Sequence, residues 1–180
     1  MANRIALLRG INLGPNRRVA MADLRRLLAD AGHEDVSTHL QSGNVLLTSD
    51  TPPEELERRL REEIDAALGI DVDVVVRSRD ELADAIERNP FAREATDEPK
   101  RLQVSFCSAE PDPAIAEKLE EAAAGRERVA ISGREIYAWH PDGIQRSVLA
   151  KQLADRRLGV TTTARNWNTV TKLLELADAP

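Results

Sequence analysis

The spacing of apolar residues in the first 78 positions switches repeatedly between the period of a strand and the period of a helix. It predicts the order strand, helix, strand, strand, helix, strand. The two helices carry apolar stripes that begin at Met21 and Leu56, and the predicted strands are Arg4–Gly10, Asp35–Gln41, Val45–Thr48 and Asp71–Arg77. This β-α-β-β-α-β order is typical of the ferredoxin-like fold.

Turn and cap signals support these boundaries. Ser42-Gly43-Asn44 lies between two predicted strands and favours a tight hairpin, because Gly and Asn tolerate positive φ. Thr51 to Glu54 and Ser78 to Glu81 have the spacing of capping boxes, in which a hydroxyl and a carboxylate bond the N–H groups of a first helical turn. Two helices are therefore predicted to begin at these sites.

The second half nearly repeats the pattern of the first. It predicts a strand at 102–107, a helix from Asp112, a hairpin of 129–131 with 135–139, and a helix from Ser147 to about Arg157. The fourth strand would be short, at Val160–Thr163, and a terminal helix follows. The prediction is an α+β protein of two ferredoxin-like (alpha-beta plait) subdomains with antiparallel sheets, the second imperfect and followed by a C-terminal helix.

The predicted boundaries divide the chain into three parts. Residues 1–78 form the first subdomain, 79–100 a helix and a polar connector, and 101–180 a second βαββα-type subdomain with the terminal helix. No repeat shorter than these halves and no low-complexity segment interrupts them.

Composition argues against several classes of function. The 180 residues carry a net charge of −6, which argues against nonspecific binding to nucleic acid or to anionic membrane. No apolar run approaches the roughly 18 residues of a membrane helix, and the start has no secretory signal. The single cysteine, Cys107, cannot form an internal disulfide, which favours a reducing, cytoplasmic location.

The charge is segregated along the chain. Residues 1–27 hold six arginines against Asp23 alone, and residues 140–172 hold six basic residues against two acidic ones. Solvated helix faces account for several of these cations. The remaining ones flank the two most polar motifs of the sequence, where an anion would find cations already in place.

In the first half, two polar loops are predicted to converge. A ferredoxin-like sheet has the strand order 4-1-3-2, so the loop from Arg9 to Arg18 and the turn Gln41 to Asn44 should meet at one edge. Arg9, Asn12, Ser42 and Asn44 offer the cations, amides and hydroxyl that suit phosphate or carboxylate. The competing interpretation is that these residues only build a turn and cap a helix.

In the second half, Thr163-Ala164-Arg165-Asn166-Trp167 is predicted to open the last helix. Trp167 belongs to the apolar stripe of that helix, and Asn166 or Thr163 has the character of an N-cap. Arg165 is not explained in this way, because a cation opposes the positive end of a helix dipole. Arg165 and Asn166 are therefore predicted to complete an anion site.

Catalytic and metal signals are weak. The three histidines lack metal-ligand spacing, and no cofactor motif occurs, so neither a metal nor a cofactor is predicted. Cys107 is interpreted as an inert strand residue, and Ser147 as a helix N-cap near His140. Tyr137 and Trp139 share a strand face and are assigned to packing. Catalytic residues stay unassigned, and an enzymatic role is neither predicted nor excluded.

Several of these motifs together resemble a known bacterial family. Leu8 to Gly14 (LRGINLG), Gln41 to Val45 (QSGNV) and Thr163 to Val170 (TARNWNTV) occur in the order seen in domain-of-unknown-function family 1697. The resemblance implies two alpha-beta-plait halves and no established activity. Pro15 departs from the family pattern and removes a backbone donor from the first loop.

The expected function is the binding of an anionic small molecule, phosphorylated or not, between the two halves. The alternative is a noncatalytic interaction module that uses an exposed sheet edge, including self-association into a homo-oligomer. Nucleic-acid binding is the least favoured interpretation, and no membrane partner is expected.

Overall fold

The computed structural model describes residues 2–12, 18–123 and 125–179. Its first sheet is antiparallel, in the order β2-β3-β1-β4. The elements are β1 (Arg4–Leu8), α1 (Met21–Asp30), β2 (Glu34–His39), β3 (Asn44–Thr48), α2 (Pro53–Leu68) and β4 (Val74–Ser78). Both the element order and the strand order predicted from the sequence are confirmed.

Alternation along the strands explains why the two helices cover one face of this sheet. Ala6 and Leu8 lie on the same face as Val45, Leu47 and the alternate valines of β4, and all are buried in one apolar cluster. The apolar stripes of α1 and α2 close that cluster, with Leu24, Leu28, Leu56, Leu60 and Ile64 at 1% exposure or less. The apolar face of the strands, with a period of two residues, thus packs against the apolar stripes of the helices, with a period of 3.6, in a single core.

The second sheet has the same topology, in the order β6-β7-β5-β8. Its elements are β5 (Leu102–Cys107), α5 (Pro113–Ala122), β6 (Arg128–Ser132), β7 (Glu135–Trp139), α6 (Val148–Ala154) and β8 (Thr162–Asn166). In the described part of the chain, three helices lie outside the two repeats: α3 (Arg79–Glu87), α4 (Ala92–Asp97) and α7 (Trp167–Asp178). The imperfection of the second half is the seven-residue α6, which is flanked by 3-10 turns at Ile144–Arg146 and Arg156–Leu158.

The chain forms two compact units that differ from the predicted boundaries. One comprises Met1–Ala83 with Lys172–Pro180, and the other comprises Asp84–Thr171. The terminal segment belongs with the first unit, where Arg79 Nε donates to Asp178 Oδ1 at 2.7 Å. The segment predicted as a polar connector also has structure of its own, since it contains α4 and a 3-10 turn at Pro99–Arg101.

The fourth strand of the second sheet is longer and later than predicted. It runs from Thr162 to Asn166 and pairs with β5 without interruption, from Cys107↔Thr162 to Gln103↔Asn166. The terminal helix begins only at Trp167, because Asn166 Oδ1 accepts the N–H of Thr169 at 3.0 Å and caps the helix. The placement of Arg165 within the first helical turn was therefore wrong, and Arg165 is a strand residue.

Capping explains two further differences. The predicted helix from Ser147 to about Arg157 ends at Ala154, since Asp155 Oδ1 instead accepts the N–H of Arg157 at 2.9 Å and opens a 3-10 turn. The box at Thr51 is not formed, because Pro52 takes the N-cap position and no side chain bonds the first turn. The box at Ser78 is confirmed: Ser78 N donates to Glu81 Oε2 at 2.7 Å and Glu81 N to Ser78 Oγ at 3.1 Å.

Within the part of the chain that the structure describes, no helix has the length and apolarity needed to cross a membrane. Aromatic side chains pack inside the units instead. Tyr137 is fully buried and its hydroxyl donates to the carbonyl of Ala85 at 2.6 Å. Burial raises the pKa of Tyr137 to about 12.

The two capping-box sequences allow a matched stability test. Ser78→Ala removes a formed cap and should lower the free energy of unfolding by about 1 kcal/mol. Thr51→Ala changes the same motif where no cap is formed, and should stay within about 0.5 kcal/mol of the parent. Urea unfolding at neutral pH measures both values, and equal losses would contradict the assignment.

Candidate functional site

The two polar loops of the first unit meet at one end of its sheet. Leu8 N donates to Gly43 O at 2.8 Å, and Asn12 Nδ2 donates to Gln41 O at 2.7 Å. The predicted convergence is thus confirmed for the described residues; positions 13–17, which include the family-divergent Pro15, lie outside them.

Asn12 joins three segments through its side-chain amide. Its Oδ1 accepts the N–H of Val19 at 2.7 Å, and its Nδ2 donates to Val19 O at 3.0 Å as well as to Gln41. One side chain therefore fixes the start of the loop, the residue before α1 and the hairpin turn. This role explains an asparagine at this position, although its predicted ligand contact stays a prediction.

Asn44 is also committed to the turn. It is fully buried, and its Nδ2 donates to His39 O at 2.8 Å and to Ser42 Oγ at 3.0 Å. The side chain of Ser42 is thereby oriented by a buried neighbour while the residue itself is exposed. Burial and, to a lesser extent, the cation of Lys172 lower the pKa of His39, which favours its neutral imidazole.

Four residues of these loops have positive φ, which is ordinary for the two glycines and uncommon for Asn12 and Leu40. Gly10, Asn12, Leu40 and Gly43 have φ values of 72°, 56°, 60° and 76°. Leu40 is the clearest outlier, because a bulky side chain disfavours this region and because 54% of the residue is exposed. Backbone strain of this kind clusters at binding and catalytic sites, where surrounding contacts hold it in place.

Gly43 is required by close packing as well as by its φ. A Cβ there would lie 2.6 Å from Ile11 Cδ1 and 2.8 Å from Leu8 Cβ. The hairpin turn consequently lies directly against the loop after β1, and no larger residue fits between them.

The same end of the sheet offers cationic and N–H groups. α1 begins there after Ala20, which makes no side-chain cap bond. Arg9 is half-buried, and its backbone N–H donates to Asp73 O at 2.8 Å. Arg18 is exposed. An uncapped helix start beside arginines and a serine hydroxyl is chemically suited to a phosphate or a carboxylate.

Arg165 and Asn166 lie in the second unit. Arg165 is 7% exposed, and its Nη1 donates to Thr163 Oγ1 and to Ala164 O, both at 2.8 Å. Burial lowers the pKa of its guanidinium to about 10, so it is still a cation at neutral pH. The dipole argument that singled it out does not apply in a strand, and its place in a ligand site stays a prediction, as does that of the capping residue Asn166.

His140 and Ser147 form a buried pair in the second unit. His140 Nδ1 lies 2.8 Å from Ser147 Oγ, which also accepts the N–H of Ala150 and so caps α6 as predicted. His140 Nε2 is buried and has no hydrogen-bond partner among the residues that the structure describes. Both residues are at most 3% exposed, which gives a substrate no access to them. The pair is structural, and burial lowers the pKa of His140 against an opposing effect of Glu127.

Sequence reasoning missed a cleft in the second unit. It is lined by Arg101, Arg126 and Arg128 around Trp139, with Glu98 and Pro141, and we name it the arginine cleft. Its arginines are scattered through polar segments that show no motif. The only sequence signal was that Arg101 directly precedes β5 and Arg128 opens β6, two strands that both pair with β7.

Metal ligation has no visible basis in residues 2–12, 18–123 and 125–179, where no group of three or more His, Cys, Asp or Glu side chains could hold an ion. Cys107 is fully buried on the helix-covered face of its sheet and packs with Ile115 and Leu119. It behaves as a small apolar residue.

Two β-α-β-β-α-β units with the same strand order define a duplicated ferredoxin-like protein. Residues 1–137 match the family described as "Protein of unknown function (DUF1697)", and the chain belongs to that family. The conserved bacterial protein SP0830 of Streptococcus pneumoniae has a similar structure, with a TM-score of 0.79 and 21% identity over 98% of this chain and 99% of that one. At that identity the likeness shows the fold alone. No curated protein matches the sequence.

The contact between the two loops can be tested at Gly43. Gly43→Ala should destabilise the protein by about 2–4 kcal/mol, because it adds overlap with Ile11 and Leu8 to the cost of positive φ. Gly69→Ala is the matched control: its φ is 64° and a Cβ there meets nothing within 4 Å, so only about 1–2 kcal/mol should be lost. Chemical unfolding of both variants measures the difference, and equal losses would refute close packing.

The burial of His140 leads to a prediction about how stability depends on pH. Because the folded protein holds the pKa of His140 below its ordinary value of 6.5, the unfolded chain binds the proton more readily. His140 should therefore contribute to a loss of stability as pH falls from 7.5 to 5.5. His140→Asn, whose amide can keep the bond to Ser147, should lose less stability over that range in urea unfolding. An unchanged pH dependence would contradict a neutral buried imidazole.

Proposed function

We propose that this protein binds an anionic small molecule, with a phosphate or carboxylate group held at the end of the first sheet. Arg9 and Ser42 would contact the anion directly, and the N–H groups at the start of α1 would add donors. Asn12 and Asn44 would act by positioning, since their amides join the loops. The cytoplasmic location expected from the single cysteine is part of this proposal.

The observation that carries the proposal is that Asn12 joins the loop of Arg9 to the turn of Ser42, just before α1 begins. A turn alone accounts for positive φ at Gly10 and Gly43, but it does not require positive φ at the bulky, exposed Leu40. The Asn12 contacts hold the backbone that carries Arg9 and Ser42 in one place. Rigid placement lowers the entropy lost on binding, and a charged donor strengthens the hydrogen bonds to an anion.

Participation of Arg165 and Asn166 in the same site stays a prediction. Arg165 remains cationic, but its bonds to Thr163 and Ala164 already give it a structural role. If the protein is an enzyme, its catalysis would rest on electrostatic stabilisation and positioning, because neither Cys107 nor Ser147 is accessible as a nucleophile.

The alternative of association through a sheet edge has weaker support in the first unit. At the edge strand β4, Val76 N donates to the carboxylate of Glu57 at 2.7 Å. At the other edge, β2 carries a register irregularity between Glu34 and Ser37, with Asp35 at a φ of 53°. Occupied donors and bulges are devices that prevent edge pairing.

A thermal-shift titration tests the anion proposal. Inorganic phosphate, pyrophosphate and nucleoside monophosphates should include at least one ligand that stabilises the parent protein, by about 2.7 kcal/mol at 100 times its Kd. Arg9→Ala should lose most of this gain. Arg58→Ala is the control, because it also removes one cation from the first unit, at an exposed i,i+4 pair with Glu62 on α2.

Two outcomes of the titration would contradict the proposal or the location of the site. Absence of stabilisation by every anion would reject the proposal, and equal stabilisation of the parent and Arg9→Ala would reject this location. Arg126→Ala, in the arginine cleft, is carried in parallel so that binding there is recognised separately.

A further inference from the structure

The topology of the second sheet gathers cations at one end of it. β7 pairs with both β5 and β6, and its last residue, Trp139, lies opposite Leu102 on one side and Arg128 on the other. Arg101 precedes Leu102, and its carbonyl accepts the N–H of His140 just beyond β7. Arg126 lies two positions before Arg128. Residues far apart in sequence are thus brought to a single edge.

The resulting arginine cleft has the size of a small-molecule site. Its volume is about 480 Å³, within the range in which organic ligands are bound. Trp139 and Pro141 supply its apolar lining, and Trp139 is only 8% exposed. The apolar part of the cleft is therefore a limited wall, too small to hold a large hydrophobic ligand.

Two of the three guanidinium groups have close ion-pair partners. Arg128 pairs with Glu94 and lies over the ring of Phe91, 4.9 Å from its centroid. Arg101 Nη1 lies 2.9 Å from Glu98 Oε1. A guanidinium has five N–H donors, so pairing with one carboxylate leaves others to bind an incoming anion.

Arg126 is held much more loosely. Its ion pair with Asp142 is 3.7 Å long, and the two side chains are 80% and 75% exposed. Exposed pairs of this kind contribute little to stability, so exchange of Asp142 for a better anion costs little. Arg126 is thus the cation of the cleft most easily recruited by a ligand.

Acidic side chains balance the charge of these arginines: Glu98 pairs with Arg101, Glu94 with Arg128 and Asp142 with Arg126. Glu98 and Glu127 line the cleft with the three arginines, but Glu127 Oε2 also accepts the N–H of Leu149 at 3.4 Å in the first turn of α6. That contact directs part of its negative charge to the helix start. An anion would therefore bind by exchange, replacing Asp142 at Arg126 and using the remaining donors of Arg101 beside the apolar wall.

We infer that the arginine cleft is a second binding site, for a small organic anion in which a phosphate or a carboxylate is joined to a compact apolar group. Arg126 and Arg101 bind the anionic group and Trp139 with Pro141 contacts the apolar group. Arg128, paired with Glu94, lines the same cleft. The inference uses residues of the second unit alone and does not depend on the site at Arg9.

Nuclear magnetic resonance can observe this site directly. The chain has two tryptophans, so a proton–nitrogen correlation spectrum should show two indole N–H signals, and Trp139→Phe identifies that of Trp139. If Trp139→Phe does not fold, Trp167→Phe assigns the signals by removing the other one. Phenyl phosphate and benzoate are the probes, and inorganic phosphate tests the need for an apolar group.

Saturable movement of the Trp139 signal by phenyl phosphate or benzoate is expected, and the tighter probe identifies the anionic group. Inorganic phosphate should bind at least about tenfold more weakly, since it has no apolar group to bury against Trp139 and Pro141. Arg126→Ala should weaken binding about tenfold or more, because a charge-assisted hydrogen bond is lost. Arg93→Ala is the control, an 89% exposed arginine of α4 outside the cleft.

Three results would overturn the inference. The first is a Trp139 signal that does not move at about 10 mM probe, where a ligand with a Kd of about 1 mM would fill most sites. The second is unchanged affinity in Arg126→Ala and Arg101→Ala. The third is equal affinity for inorganic phosphate, which would remove the apolar group from the ligand. Retained binding in Arg9→Ala supports an independent site, and loss of binding there would refute independence.

Discussion

The antiparallel register of each central strand is the constraint on which the rest of the structure depends. β1 places Ile5 between Leu46 and Arg77, and β5 places Val104 between Tyr137 and Arg165. A shift of one residue would move every side chain to the opposite face of its sheet. The apolar clusters, the buried arginines and the loops at the strand ends are all positioned by these two pairings.

Much of this arrangement follows from local sequence. Alternating apolar positions in the strands and stripes in the helices specify which faces are buried, so the order of elements and the two sheet topologies could be predicted. The helix boundaries were harder to predict. Asn166 and Ser78 cap their helices. Thr51 does not, because Pro52 occupies the N-cap position of α2 although the sequence has the spacing of a capping box. Motif spacing alone does not contain that information.

The two candidate sites also differ in how far the sequence predicts them. The meeting of the Arg9 loop with the Ser42 turn could be predicted, since it follows from strand order. The arginine cleft could not, because its cations come from segments with no shared motif and are selected by cross-strand pairing and ion pairs. Asn12 and Asn44 were recognised as important residues. Only the structure shows that their amides are used to join loops.

The first unit is built from two separate stretches of the chain, and this has a consequence for its synthesis. It combines Met1–Ala83 with Lys172–Pro180, and Arg79 bonds Asp178 across a separation of 99 residues. On the ribosome, the first sheet can therefore form long before its last helical segment emerges. The second unit, by contrast, is continuous in sequence. The first unit therefore receives its last segment only after the whole of the second unit has been synthesised.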